Sequence, residues 1–309
     1  MAKSIKLHDP RLIAVWPGMG NVALNAGVYL LSKLNMTLIA ELTVNDLFDV
    51  EHVVVKAGVL QIGRRPRHRL FAWLDPAKQH DLIVFLGEAQ PPTGKYAFCR
   101  QLIDYAQQLG VMRLYTFAAM ATRMRPEHRS RVFIAATDEA TLAELGNQGL
   151  EALDDGHIGG LNGILLGVAK ENGLQGACLL GEMPHVFTQL SFPKASMAIL
   201  KAFAALAKID VDFTELAELS DESEKQLGEI LAQIEQAYER QESAEETEYQ
   251  PEIDEEEMLN EADRQSIDRL FEQSAINRSK AFELKQELDR LGVFKEYEDR
   301  FLDLFKRPE

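Results

Sequence analysis

Short apolar runs alternate with longer amphipathic stretches along the first two thirds of the chain. Alternation of this kind is typical of an α/β protein, in which buried strands read as continuous apolar segments. Because helical stretches separate several of the successive runs, we expect a three-layer α/β/α sandwich around a mixed, mostly parallel sheet. The apolar runs predict strands over 12–16, 36–42, 52–62, 69–74, 81–87, 111–118, 131–137 and 176–181, and helical periodicity predicts helices over 21–34, 94–109, 138–150, 160–172 and 193–208.

One pair of neighbouring runs is joined by a clear turn signal. The runs at 52–62 and 69–74 are separated only by the polar, proline-containing segment 64–67. Such a segment is typical of a turn between antiparallel strands. We therefore expect the two runs to pair with each other.

The pattern changes after residue 210. Residues 221–240 show helical periodicity with an acidic outer face, and two further helices are predicted over 262–291 and 293–306. Residues 241–257 have almost no apolar content and no basic residue, which is typical of a mobile linker. The predicted organisation is a core domain at 1–210, an acidic amphipathic helix at 211–240, an acidic linker at 241–261 and a helical C-terminal tail at 262–309.

The last predicted helix carries an apolar stripe that it cannot bury alone. We expect this stripe to dock against another subunit of the same oligomer, and the tail is also a candidate contact for a different protein. The stripe consists of Phe294, Tyr297, Phe301, Leu304 and Phe305.

Charge is distributed unevenly. The net charge is −16, and the segment from Asp212 to Glu261 alone holds 19 acidic residues against two basic ones. A protein without a basic face is not expected to bind nucleic acid. No apolar run is long enough to cross a membrane and the amino terminus does not resemble a signal peptide, so we expect a cytoplasmic protein without a membrane partner. Cys99 and Cys178 are expected to be core residues in a reducing compartment.

The most informative local feature is the turn after the first apolar run. The spacing Gly18-x-Gly20-x-x-Ala23 satisfies a loose dinucleotide-binding fingerprint, and Glu41 ends the next run about where a ribose-binding acid would lie. The same glycines are also typical of a tight corner between a strand and a helix. Both interpretations stay open at this stage.

In open α/β sheets, ligands bind beyond the carboxyl ends of the strands. Residues placed at that edge form a candidate crevice for a cofactor or ligand, although no particular cofactor is indicated. Glu182 and His185 are a candidate acid–base pair there, and Arg123 and Arg125 are candidate anion ligands. The crevice residues are Gly18, Gly20, Asn21, Glu88 and Glu182.

The sequence contains no recognisable catalytic motif. No nucleophile elbow, phosphate-binding Gly-x-x-x-x-Gly-Lys-Ser/Thr loop or paired histidines on a helix are present. We therefore favour a protein that is not an enzyme, and expect no metal site.

Several longer motifs occur together in an order that resembles the proteasome assembly chaperone two (PAC2-type) superfamily. The resemblance covers roughly residues 10–240. It rests on WPGMGNVALNAGVYL, DLIVFLGEAQPP, GHIGGLNGILLGVAKENG and GACLLGEMPHVF followed by FPKASMAILKAFAAL.

The resemblance implies a phosphorylase/hydrolase-like α/β/α domain that tends to form homo-oligomers. Eukaryotic members of the superfamily are assembly chaperones without a catalytic role, whereas most bacterial members have no defined activity. Relatives that bind proteasomes end in a hydrophobic–Tyr–any motif. This chain ends Phe305-Lys306-Arg307-Pro308-Glu309 and lacks that tyrosine.

Together these observations predict an oligomeric binding or assembly module of the PAC2 type, with a trimer favoured. The alternative is an enzyme or sensor that binds a nucleotide, a nucleoside or phosphate at the strand carboxyl ends.

Overall fold

The computed structural model describes residues 5–49, 53–248, 261–276, 280–291 and 293–304. The strands are β1 (Arg11–Val15), β2 (Thr37–Glu41), β3 (Val53–Lys56), β4 (Val59–Ile62), β5 (His68–Trp73), β6 (Leu82–Gly87), β7 (Arg113–Thr122), β8 (Val132–Ala136), β9 (Glu151–Ala152) and β10 (Gln175–Pro184). The helices are α1 (Val22–Lys33), α2 (Lys95–Gln108), α3 (Glu139–Gly146), α4 (Gly160–Glu171), α5 (Pro193–Ala207), α6 (Thr214–Glu248), α7 (Glu261–Ile276), α8 (Ala281–Arg290) and α9 (Phe294–Asp303).

The main sheet has eight strands in the order β2-β5-β6-β1-β7-β10-β8-β9. Its centre, β6-β1-β7-β10, is parallel, with Ile13 opposite Val84 on one side and Tyr115 on the other. Strands β2, β5 and β8 introduce antiparallel pairings, and β9 runs parallel to β8. The expectation of a mixed, mostly parallel sheet is confirmed.

Side chains of alternate residues in the central strands pack into two separate hydrophobic cores, one on each face of the sheet. These strands are therefore apolar throughout. Leu12 and Ala14 point to the face covered by α2 and α4, whereas Ile13 and Val15 point to the face covered by α1 and α5. All four residues are completely buried. The result is the predicted three-layer α/β/α sandwich.

The predicted pairing of 52–62 with 69–74 is wrong. Strands β3 and β4 pair with each other in a separate two-stranded sheet, and β5 lies between β2 and β6. The hairpin forms because Ala57 and Gly58 both have positive φ, 49° and 78°, as a two-residue turn of type I′ requires. Both edges of β5 are already occupied by β2 and β6.

Helix α6 is longer than predicted. Val211, which precedes it, and Leu216 and Leu227 within it are buried in the same apolar cluster as residues of α1 and α5, so its first half packs on the sandwich. The helix continues to Glu248, and residues 241–248 are therefore helical where a linker was expected. Residues 249–260 lie outside the described residues, and there the linker stays a prediction. Contacts divide the chain into two units, Met1–Tyr238 and Glu239–Glu309.

In the second unit, the single helix predicted over 262–291 is replaced by two helices. Ile267 and Phe271 of α7 pack against Leu284 and Leu288 of α8, and these four residues are almost completely buried. In one straight helix, Ile267 and Leu288 would lie about 30 Å apart at 1.5 Å per residue. Folding back buries both apolar faces at once.

The predicted last helix is present as α9. Phe294, Tyr297, Phe301 and Leu304 pack on the cluster formed by α7 and α8. The expected docking on another subunit is thus corrected, because these four residues find apolar partners within their own unit. Phe305 lies outside the described residues.

Both cysteines are free and buried in the core, as expected. Burial raises the pKa of each thiol to about 12, so neither forms a reactive thiolate near neutral pH.

Candidate functional site

A cavity of about 590 Å³ opens at the carboxyl ends of β1 and β7, and we call it the edge cavity. Small side chains at the end of β7, Ala118, Ala119 and Ala121, leave room there. The amino end of α4 and the loop at 153–159 cover it. Its larger apolar walls are Trp16, Met19, Met120, Phe133, Ile158 and Leu180.

The amino end of α4 is held over the cavity by one glutamine. Gln90 Oε1 accepts a hydrogen bond from the Leu161 backbone N–H at 3.0 Å. Gly160 precedes this residue with φ 69°, and a Cβ there would lie 2.7 Å from Gln90 Oε1. Glycine is therefore required for the loop to approach the glutamine so closely.

The polar groups of the edge cavity are mainly acceptors. Asp154 and Asp155 are exposed and have no hydrogen-bond or ion-pair partner among the described residues, and the buried Asn162 Oδ1 has none either. The lining that the structure describes contains no lysine or arginine. A phosphate would meet negative charge here, whereas the hydroxyls of an uncharged ligand would find acceptors.

The first turn is a tight corner. Gly20 has φ 59°, its N–H donates to Thr188 O at 2.8 Å, and its carbonyl accepts from the Phe192 N–H at 3.0 Å. A Cβ at Gly20 would lie 2.8 Å from Met183 Cε. Its backbone groups are therefore already used within the protein. Asn21, also left-handed at φ 49°, leads into α1.

Glu88 follows β6 and is held by two arginines. Its carboxylate accepts from Arg64 Nη1 at 2.6 Å, Arg69 Nη2 at 2.7 Å and the Arg67 N–H at 3.0 Å. Burial opposes ionisation, but these donors keep the pKa of Glu88 below its ordinary value. The carboxylate thus anchors the segment that links the β3–β4 hairpin to β5.

Glu182 is 3% exposed near the end of β10. Arg131 donates to both carboxylate oxygens, at 2.9 and 2.8 Å, and Thr122 Oγ1 donates to Oε1 at 2.8 Å. These bonds hold the pKa of Glu182 below its ordinary range, with Arg131 the largest cause. His185 Nδ1 donates instead to Thr122 O at 2.9 Å, so Glu182 and His185 are not joined as an acid–base pair.

Glu41 does not occupy the ribose-binding position beside β1. It lies on β2, separated from β1 by β5 and β6, and its carboxylate binds Arg67. Arg125 is also engaged, since it bonds Glu127 and Glu235.

The structure therefore does not gather the five predicted crevice residues into one site. Gly18 lines the edge cavity, and Gly20 and Asn21 form the corner beside it. Glu88 pairs with two arginines and Glu182 with a third, at separate places. The polar cavity residues missed by sequence reasoning were Gln90, Asp154, Asp155, His157 and Asn162. Their one local signal was the Asp-Asp pair in the loop before Gly159-Gly160.

Comparison with known proteins assigns the fold to a family. The model of the PAC2 family matches residues 12–231, which include all of the eight-stranded sheet except the first residue of β1. The chain belongs to the PAC2 family. The PAC2-type resemblance is thereby confirmed.

Relatives of the chain include proteins from archaea and bacteria. An uncharacterized protein of Methanocaldococcus jannaschii is 27% identical over 213 residues, covering 68% of this chain and 78% of that protein. The crystal structure of Pyrococcus furiosus PbaB, described as an archaeal proteasome activator, matches with a TM-score of 0.64 and 26% identity over 76% of this chain and 96% of PbaB. A proteasome-assembly chaperone homologue of Mycobacterium tuberculosis matches with a TM-score of 0.62 and 19% identity over 71% of this chain and 94% of that one, which shows the shared fold.

Among the described helices, none is long and apolar enough to cross a membrane.

Proposed function

We propose that this PAC2 protein is an oligomeric binding and assembly module that acts on other proteins in the manner of a chaperone. The family membership and the similarity to a proteasome activator and to a proteasome-assembly chaperone homologue support an assembly role. The observation that carries the oligomeric part of the proposal is the β3–β4 hairpin.

This hairpin is apolar yet unburied on both faces. Strands β3 and β4 pair only with each other, and every one of their residues is exposed. A two-stranded ribbon is marginally stable alone, and leaving large aliphatic side chains in water forgoes about 1.5–3 kcal/mol each. A protein surface that covers the ribbon would stabilise it. The exposed fractions include 61% for Val55, 63% for Val59, 68% for Leu60 and 80% for Ile62.

The partner that we propose for this hairpin is a second copy of the chain. The sandwich exposes further apolar side chains, including Val28 at 48%, Leu38 at 50% and Leu74 at 52%. In a closed symmetric oligomer each copy both offers its hairpin and receives that of a neighbour, so every hairpin is covered. Within this proposal a trimer is the favoured state.

Sedimentation equilibrium of the full chain tests the proposal. The double variant Val55→Asp/Leu60→Asp places two charges on the hairpin and should convert the oligomer into a monomer with an unchanged far-UV circular dichroism spectrum. Met112→Asp is the matched control, because Met112 is 60% exposed at the amino end of β7. A wild-type monomer at tens of micromolar, or an unchanged oligomer in the double variant, would refute the proposal.

The edge cavity supports a second candidate function, the binding of a small molecule at the strand carboxyl ends. Its unpaired acceptors favour an uncharged nucleoside over a nucleotide or free phosphate. Thermal-shift measurements compare how strongly adenosine, adenosine monophosphate and inorganic phosphate raise the melting temperature of the protein. Stabilisation by adenosine alone, lost in Asp154→Asn/Asp155→Asn, would support this candidate, and stabilisation by phosphate would contradict the nucleoside preference.

A further inference from the structure

A second large cavity, of about 940 Å³, lies on the face of the sandwich that carries α5, and we call it the Ser130 groove. It is bounded by residues 127–132, by the loop at 148–151 and by α5. None of the residues that bound it belongs to the predicted crevice or to the edge cavity.

Two unpaired cations lie in this groove. Arg129 and Lys201 are exposed and have no ion-pair or hydrogen-bond partner among the described residues. The lining as a whole holds more basic than acidic side chains, with Arg129, Arg131, Lys194 and Lys201 against Glu127 and Glu151. In a chain of net charge −16, the groove is thus a local surface with surplus positive charge.

Ser130 also lines the groove; it is 5% exposed, and its buried Oγ has no hydrogen-bond partner. A buried hydroxyl without a partner costs about 1–3 kcal/mol. A ligand acceptor in the groove would supply the missing bond.

Apolar side chains line the groove together with the charged ones. Val132, Leu150 and Met197 line the groove and are half-buried. The volume exceeds what a single small anion fills and is in the range of sites that enclose larger ligands. The lining therefore fits a ligand in which carboxylates alternate with apolar groups.

We propose that the Ser130 groove binds an acidic peptide segment of a partner protein. Carboxylates of the peptide pair with Arg129 and Lys201, one of them accepts the Ser130 hydroxyl proton in a hydrogen bond, and an apolar side chain packs on Met197. This inference rests on the proposed assembly function, since it names the chemistry of the partner that the module recognises.

Fluorescence polarisation with three labelled peptides tests the groove on the full chain. The peptides share the same leucines and differ only in carrying aspartate, asparagine or lysine at the intervening positions. We expect the aspartate peptide to bind at least about tenfold more tightly than the asparagine peptide, and the difference to shrink as salt is raised. The lysine peptide should not bind.

Charge-neutralising variants locate the site. Arg129→Gln/Lys201→Gln should weaken binding of the aspartate peptide by about tenfold or more. The matched control Lys78→Gln/Lys170→Gln removes two exposed cations from elsewhere on the sandwich and should leave binding unchanged. Ser130→Ala should also weaken binding while leaving the free energy of unfolding equal or higher, because the lost hydroxyl had no partner in the free protein.

Equal binding of the aspartate and asparagine peptides, or equal loss in both double variants, would overturn the inference. Displacement of the peptide by inorganic phosphate at a matching concentration would also overturn it, because the groove would then be a site for small anions. Measuring the binding of the aspartate and asparagine peptides to the hairpin variant Val55→Asp/Leu60→Asp distinguishes this inference from the proposed oligomerisation. If that variant is monomeric and still discriminates, the groove acts independently of the oligomer.

Discussion

His68 is a buried histidine whose protonation should make folding sensitive to mild acid. It is 1% exposed at the start of β5, its ring stacks on Phe85 at 6.1 Å, and Phe48 and Phe98 lie at 4.9 and 5.0 Å. Neither ring nitrogen has a hydrogen-bond partner in the part of the chain that the structure describes. Burial lowers the pKa of His68 from 6.5 to about 4, against the opposing charges of Glu88 and Glu41.

The sign follows from proton linkage. Between pH 6.5 and 4 the unfolded chain binds a proton at this residue and the folded chain does not, so stability falls as pH falls through this window. The full shift of about 2.5 pH units corresponds to about 3 kcal/mol. Between pH 7.5 and pH 5 the loss should be about 2 kcal/mol.

Urea unfolding followed by tryptophan fluorescence at pH 7.5 and pH 5 measures this loss. Trp16 reports on the same cluster, since its ring lies 5.4 Å from that of Phe85. His68→Leu keeps a similar side-chain volume without a titrating group, and should reduce the pH-dependent loss by about 2 kcal/mol. Protein concentration is held fixed so that association contributes equally.

His157→Leu is the control, because His157 is exposed and should leave the pH dependence unchanged. Stopping at pH 5 keeps most carboxylates ionised in both states. The same loss of stability in wild type and His68→Leu would refute the reasoning.

Three further predictions concern packing and charge. Gly87→Ala should lower the free energy of unfolding in urea by about 1–3 kcal/mol, because the added Cβ would collide with the Trp16 indole ring. Gly18→Ala should leave the free energy of unfolding nearly unchanged, because the added Cβ meets no atom within 4 Å, and equal losses in the two variants would contradict this. Arg131→Met should cost about 1–3 kcal/mol by calorimetry, since it leaves the Glu182 carboxylate buried without its main donor, and an unchanged melting temperature would argue against it. Leu284→Ala should speed amide hydrogen exchange in α7–α9 and leave exchange in the sheet unchanged. Equally faster exchange in both units would contradict the expectation that the second unit opens without the first.

Much of the secondary structure follows from local pattern. The central strands were predictable because residues buried on both faces leave a continuous apolar run, as at 12–16 and 81–87. The helices were predictable because their apolar residues recur with a period near 3.6. The alternation of the two element types, with motifs such as WPGMGNVALNAGVYL, was enough to indicate the fold and the family.

The pairing of strands was harder to predict from the sequence. Periodicity indicates which face of an element is buried, but it does not indicate which other element covers that face. The β3–β4 hairpin depends on positive φ at Ala57, which is rare for a residue with a Cβ. The fold of α7 onto α8 likewise depends on contacts between residues distant in the chain.

The candidate site depended most on tertiary structure. From the sequence, Glu88 and Glu182 are acids at strand ends. Only the fold brings Arg64 and Arg69 to Glu88 and Arg131 to Glu182. The sequence alone determined most strands and helices of the sandwich, because periodicity is a local property. The tertiary structure decided which charges are paired, which hydroxyl is left without a partner and where cavities open, because each of these depends on groups that are adjacent only after folding.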